Sequence, residues 1–142
     1  MGSLADLIVA AASDAPAIVA SDYPLGAFRG VNIDGLDPLK VAALHSLLTG
    51  KGFADVVGRY QPVAEATANG PWLIKFPDEL IPLLANLAPP DHGSVAAQWA
   101  STDQGREEGW SEQDAEKFLA RLVHFAQIGA FEGKDVFLCV YR

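Results

Sequence analysis

The chain has 142 residues, half of them apolar and a fifth charged, with 18 acidic and 10 basic side chains and a net charge of −8. That length and composition give one globular domain, residues 1–142, which buries about two-thirds of its unfolded surface and needs no staple. Such a chain is too apolar for disorder, and its scattered basic residues exclude a nucleic-acid partner, because phosphates need clustered lysine and arginine.

A basic partner protein or a cationic ligand remains compatible with the charge. Cys139 is the single cysteine, which excludes an intramolecular disulfide and a cysteine-based zinc site. No apolar run approaches the length of a membrane span, so no membrane partner is expected.

In chain order, Leu4 to Ala12 reads as a helix capped by Ser3, with Leu4, Leu7 and Ile8 on one side. Leu4 to Ala20 is apolar and alanine-rich in the manner of a signal peptide. It has no basic start, and Asp6 and Asp14 interrupt it, so a cytoplasmic location is expected. Ser13-Asp14-Ala15-Pro16 restarts a second short helix ending near Ser21. Tyr23-Pro24-Leu25-Gly26 reads as a turn, and Phe28 to Ile33 as a short strand.

Asp34-Gly35 turns the chain into its most distinctive segment, Asp37 to Gly50. Asp37 suits the N-cap, Pro38 the first helical position and Gly50 the left-handed residue that closes a helix. Val41, Leu44, Leu47 and Leu48 share one stripe, and Leu39, Ala42 and Ala43 cover much of the rest. Only Lys40, His45 and Ser46 are polar in the helix body, and a helix apolar nearly all round belongs in a core. His45 falls at the edge of the stripe and is expected to be partly buried.

Leu44-His45-Ser46-Leu47-Leu48-Thr49-Gly50, preceded by Asp34, Asp37 and Lys40, resembles an element of the YfbM-like family of small bacterial proteins. The later order is similar as well: a strand, a helix start at Pro77-Asp78-Glu79, a late long helix and a closing apolar strand. The resemblance implies a fold and no particular activity. Family members often carry an aromatic residue ahead of the Leu-His pair, where this chain has Ala42 and Ala43.

Beyond Gly50, Gly52 to Tyr60 reads as a short helix carrying Phe53, Val56 and Val57, and Pro62 to Ala68 fits no single template. Asn69-Gly70-Pro71 is a turn before a strand over Trp72 to Phe76. Pro77-Asp78-Glu79 opens a helix in which Pro82 predicts a kink or a late true start. Ala88-Pro89-Pro90 breaks the chain, Ser94 to Thr102 is helical, and Asp103 to Trp110 reads as a polar loop. Ser111 and Asp114 then make a capping box for the longest helix, which Gly133 ends. Val136 to Tyr141 is apolar on both faces, the pattern of a central strand. Together these elements predict an α+β domain, several helices packed on a small mixed sheet.

The chain carries no glycine-rich phosphate loop, nucleophile elbow or His-Glu-x-x-His pair, and His45, His92 and His124 are too separated for a local metal motif. No cofactor or metal is expected. His45 is the one candidate for acid–base chemistry, oriented by Asp34 or Asp37, because imidazole titrates near neutral pH. Its alternative role is a core histidine satisfied by the backbone.

The second candidate is the acidic window from Asp103 to Glu116, with Arg106, Glu107 and Glu108 inside it, only Arg106 and Lys117 opposing, and Trp99 and Trp110 flanking its loop. Tryptophan among charges suits a binding surface. The expected function is thus a non-enzymatic bacterial interaction protein, an immunity or accessory protein, acting as monomer or homodimer on a basic partner. The alternative is a small-molecule binder or hydrolase with a pocket around His45.

Overall fold

In the computed structural model, which describes residues 4–141, the chain crosses one five-stranded sheet. β1 (Leu4–Ala10) leads to α1 (Ala15–Ala20) and the single turn α2 (Pro24–Ala27), then β2 (Arg29–Asn32). Next come α3 (Pro38–Thr49), α4 (Phe53–Val57), β3 (Pro62–Glu65) and β4 (Trp72–Lys75). The chain closes with α5 (Leu80–Ala85), α6 (His92–Ala100), α7 (Asp103–Glu107), α8 (Glu112–Glu132) and β5 (Asp135–Tyr141). The strand order is β2-β1-β5-β4-β3 and every ladder is antiparallel, where a mixed sheet is expected from the sequence. The fold is α+β.

The alternation of each strand sorts its side chains between two cores. Ala5, Leu7, Val9, Ile74, Val136 and Leu138 face the larger core under α3, α5, α6 and α8. Ile8, Ala10, Leu73, Phe137 and Cys139 face the smaller one, closed by Ala15, Ile18 and Val19 of α1. β5 is the middle strand, as its two apolar faces predict.

Leu4–Ala10 departs from expectation: the sequence reads as a helix and the chain forms a strand. A short apolar run has no period that separates a buried helix from a strand buried on both faces. Pairing on both edges decides it, from Leu4 opposite Tyr141 to Ala10 opposite Asp135 along β5, and from Asp6 opposite Asn32 to Val9 opposite Arg29 along β2. The expected cap Ser3 lies outside the described residues.

The Asp37–Gly50 helix forms within its predicted bounds. The Asp37 carboxylate accepts from the Lys40 N–H at 3.0 Å, and Gly50 closes the helix at φ 76°. Lys40 through His45 are all buried, so α3 is a core element. His45, expected at the edge, has no exposed surface at all.

α5 begins late, at Leu80, so Pro82 falls in the first turn, where a missing N–H breaks no helical bond. Ser111 and Asp114 form the capping box of α8, with mutual bonds of 3.1 and 2.9 Å. The predicted loop after Thr102 instead holds one helical turn, α7, capped by the Thr102 hydroxyl on the Gly105 N–H. A turn of five residues is too short to show a period. Among the described residues, no helix is long and apolar enough to cross a membrane.

Leu44 is wholly enclosed by the larger core. Leu44→Ala is expected to lower the urea-unfolding free energy by about 2–5 kcal/mol, the cost of lost burial plus a cavity that α3 cannot close. A loss under about 1 kcal/mol would show that α3 packs loosely.

Candidate functional site

Two clusters of polar groups meet α3, one at each end. At the C-terminal end, His45 points inward toward α4 and the start of α5. Its Nδ1 lies 2.8 Å from the Tyr60 hydroxyl, and the two rings meet edge to face. Its Nε2 is buried without a hydrogen-bond partner, and the Glu79 carboxylate approaches to 3.4 Å without making one. Burial raises the Tyr60 pKa, so the phenol stays protonated beside Nδ1.

Glu79 is held from outside by Lys51, at 2.9 Å, and by Arg59. Their hydrogen bonds, Lys51's first, hold its pKa down at about 2. Burial lowers the His45 pKa, and the neighbouring Glu79 charge only partly restores it. A neutral imidazole is therefore stacked behind a permanently ionised carboxylate.

Tyr60 stands between this imidazole and an apolar cleft of about 330 Å³, walled by Pro38, Pro62, Trp72, Ile74 and Val140. His45 lines none of the clefts described for this surface. Its hydrogen bond holds the Tyr60 ring in place at the cleft wall, while its other nitrogen faces the half-exposed Glu79.

At the N-terminal end of α3, Lys40 is buried beneath α7. Its ammonium pairs with Asp37 and, at 2.9 Å, with Glu108, and lies 5.9 Å from the centre of the Trp110 ring. Burial alone would lower the Lys40 pKa, but hydrogen bonds to Asp37 and Glu108 outweigh it and raise it. The Trp99 indole N–H donates to the Lys40 carbonyl at 2.8 Å. Trp110 packs edge-on against Trp99 and stacks on Phe118 of α8. One lysine thus binds α3, α6, α7 and the start of α8 to one another.

Outside this knot lies the acidic surface of α7 and early α8. Arg106 and Asp103 pair with each other at 2.9 Å, both exposed. Glu107, Glu112, Asp114 and Glu116 are exposed, and none has a cation within 4 Å among the described residues. Trp99 is wholly buried and Trp110 half-buried, so the indoles brace this surface from beneath.

The sequence singles out His45 but not its partners. Asp34 accepts from the Ala5 N–H and the Asn32 amide, and Asp37 caps α3, so neither touches the imidazole. Tyr60 and Glu79 do, from 15 and 34 residues downstream (60 − 45 and 79 − 45). A signal existed for Tyr60: a tyrosine in an apolar helix-end context needs a buried partner for its hydroxyl.

No family model, curated protein or solved structure matches the chain. The site is therefore read from its own geometry.

Two outcomes follow from the α3 clusters. Lys40→Met leaves Asp37 and Glu108 facing each other without a cation and is expected to cost about 1–3 kcal/mol. In a double-mutant cycle Lys40 couples to Glu108→Gln, while Glu107→Gln has no coupling.

Because folding lowers the His45 pKa, the unfolded chain binds the extra proton first. The His45 contribution is complete above its unfolded pKa of 6.5 and declines as pH falls from there toward the folded value. Urea midpoints measured from pH 7.5 to 5 should fall, and His45→Gln should flatten the decline. An unchanged slope in that variant would show that other groups cause it.

Proposed function

We propose that the chain is a non-enzymatic interaction protein of the bacterial cytoplasm, an immunity or accessory protein of YfbM-like kinship, that docks a basic partner. The observation behind this reading is the set of four exposed carboxylates on α7 and early α8, none of them in an ion pair within 4 Å among the described residues, with Lys117 the nearby cation that acts on Asp114. Within the same window, Asp103 and Glu108 have their charges compensated by Arg106 and Lys40. Negative charge in excess on a braced surface steers an oppositely charged protein at long range, and of the four only Asp114 also serves the fold, as the capping-box residue of α8.

A small-molecule binder or hydrolase built on His45 has weaker support. The imidazole has no exposed surface, and the cleft near it is bounded by the Tyr60 ring.

The test is capture of a partner from the native cytoplasm by the tagged chain, followed by affinity measurement with the purified pair. Affinity should fall steeply between about 50 and 500 mM salt, as screening shortens the reach of surface charge. Glu107→Lys combined with Glu116→Lys should weaken it by roughly tenfold at low salt. These positions avoid Glu108, which the fold itself uses. Indifference to both salt and charge reversal would defeat the reading.

A further inference from the structure

Residues 51–60 leave the C-terminal end of α3, run through α4 and end at Tyr60. Their hold on the rest of the molecule is slight. Among the described residues, the backbone hydrogen bonds around α4 close within the stretch itself: Asp55 N–H to the Gly52 carbonyl, Arg59 N–H to Val56 and Tyr60 N–H to Val57, at 3.0 to 3.1 Å. Only Val56 and Tyr60 of the ten residues are fully buried. A Cβ on Gly50 or on Gly58 would meet nothing within 4 Å, so both ends of α4 lie clear of the body. Segments with few buried apolar contacts and local hydrogen bonds open well below the free energy of global unfolding.

Three side-chain contacts tie the segment down, and they converge. Lys51, before α4, and Arg59, after it, both grip the Glu79 carboxylate, the first at 2.9 Å. Tyr60 bonds Nδ1 of His45 at 2.8 Å. His45 Nε2 is buried without a hydrogen-bond partner and faces the same Glu79 carboxylate at 3.4 Å. The segment is a strap whose fastenings meet at one anion and one imidazole.

This cluster has no place for another positive charge. Glu79 already serves two cations. Tyr60 stays protonated and supplies no anion. Asp78, next to Glu79, is exposed and turned to Lys75 at 2.8 Å, and Asp55 of α4 is exposed and turned back to Gly52. Among the described residues, no carboxylate but Glu79 comes within 4 Å of the His45 ring nitrogens, from α6, α8 or any other element. An imidazolium would be the third cation on one carboxylate, in a place without water. Both of its nitrogens would donate, so it would compete with Lys51 and Arg59 for Glu79. Once the strap lifts, water solvates the charged ring. Burial holds the His45 pKa of the closed form below its ordinary value, so a proton binds the open form more tightly and acid favours opening.

We propose that residues 51–60 are an acid-released strap, free between Gly50 and the start of β3, which protonation of His45 unfastens. Opening withdraws the Tyr60 ring from the wall of the apolar cleft and bares the part of α3 that α4 packs against. The chain then offers a wider apolar site in acid than at neutral pH. This device is separate from the acidic-interaction reading, whose carboxylates lie toward the other end of α3.

The experiment is native-state hydrogen exchange on the full chain at pH 7.5 and 5.5, with rates corrected for the intrinsic effect of pH. At pH 5.5 an exposed imidazole with its ordinary pKa of 6.5 is about ten parts charged to one neutral. Protection of the Arg59 and Tyr60 amides should therefore drop about three- to tenfold between the two conditions. Their exchange should ignore urea below about 1 M, while exchange in β5 follows it, because a local opening exposes little surface. His45→Gln should abolish the acid response. Glu79→Gln, which frees Lys51 and Arg59, should lower the protection at pH 7.5 by about threefold or more. In the wild-type chain the His45 ring nitrogens should titrate below the ordinary value, and the loss of protection should end where they titrate, so the test stands even where a variant fails to fold. The proposal is overturned by protection that does not change with pH, by a strap that exchanges only together with β5, by a response that survives in His45→Gln, by unchanged protection in Glu79→Gln, or by a ring that titrates at or above its ordinary value.

Discussion

The stretch of α3 from Lys40 to His45 is buried, so the polar groups it carries must look to protein rather than water for partners. Water cannot satisfy the Lys40 ammonium or the His45 ring, so α7 is drawn in to offer Glu108 and α4 to offer Tyr60. The indole N–H of Trp99 reaches the Lys40 carbonyl and fixes α6 against the same helix. Much of the helical layer is arranged around these three demands. The apolar stripe of α3 provides most of the burial energy, and its few polar atoms specify which neighbours do the burying.

What the chain discloses before folding follows from the range of each interaction. Caps are local, and Asp37, Gly50, Ser111 and Asp114 act where their types place them. The central character of β5 is legible because both its faces are apolar. β1 is not legible in the same way: its apolar run fits two conformations, and only edges supplied by residues far along the chain choose between them. α7 escapes notice because one turn has no period.

The His45 cluster shows the same limit at the level of side chains. Nothing near His45 in sequence announces Tyr60, and Glu79 looks like a charge at the start of a helix rather than a group held by Lys51 and Arg59. The acidic window is visible as composition. Its division into braced and free carboxylates is a tertiary fact, since Glu108 and Glu107 are neighbours with opposite fates.

The pairing of β1 with β5 joins the two strands of the sheet that lie furthest apart along the chain. Leu4 sits opposite Tyr141, so β1 must wait for a strand more than 120 residues further along the chain before its inner edge is paired. Until β5 docks, β1 has an open edge toward the middle of the sheet. Contacts so far apart along the chain carry a large loop-closure cost and slow the folding of a domain this size. A form in which the helices have collapsed but β5 has not yet docked on β1 is therefore the most aggregation-prone state on the folding path, and the one a chaperone would best protect.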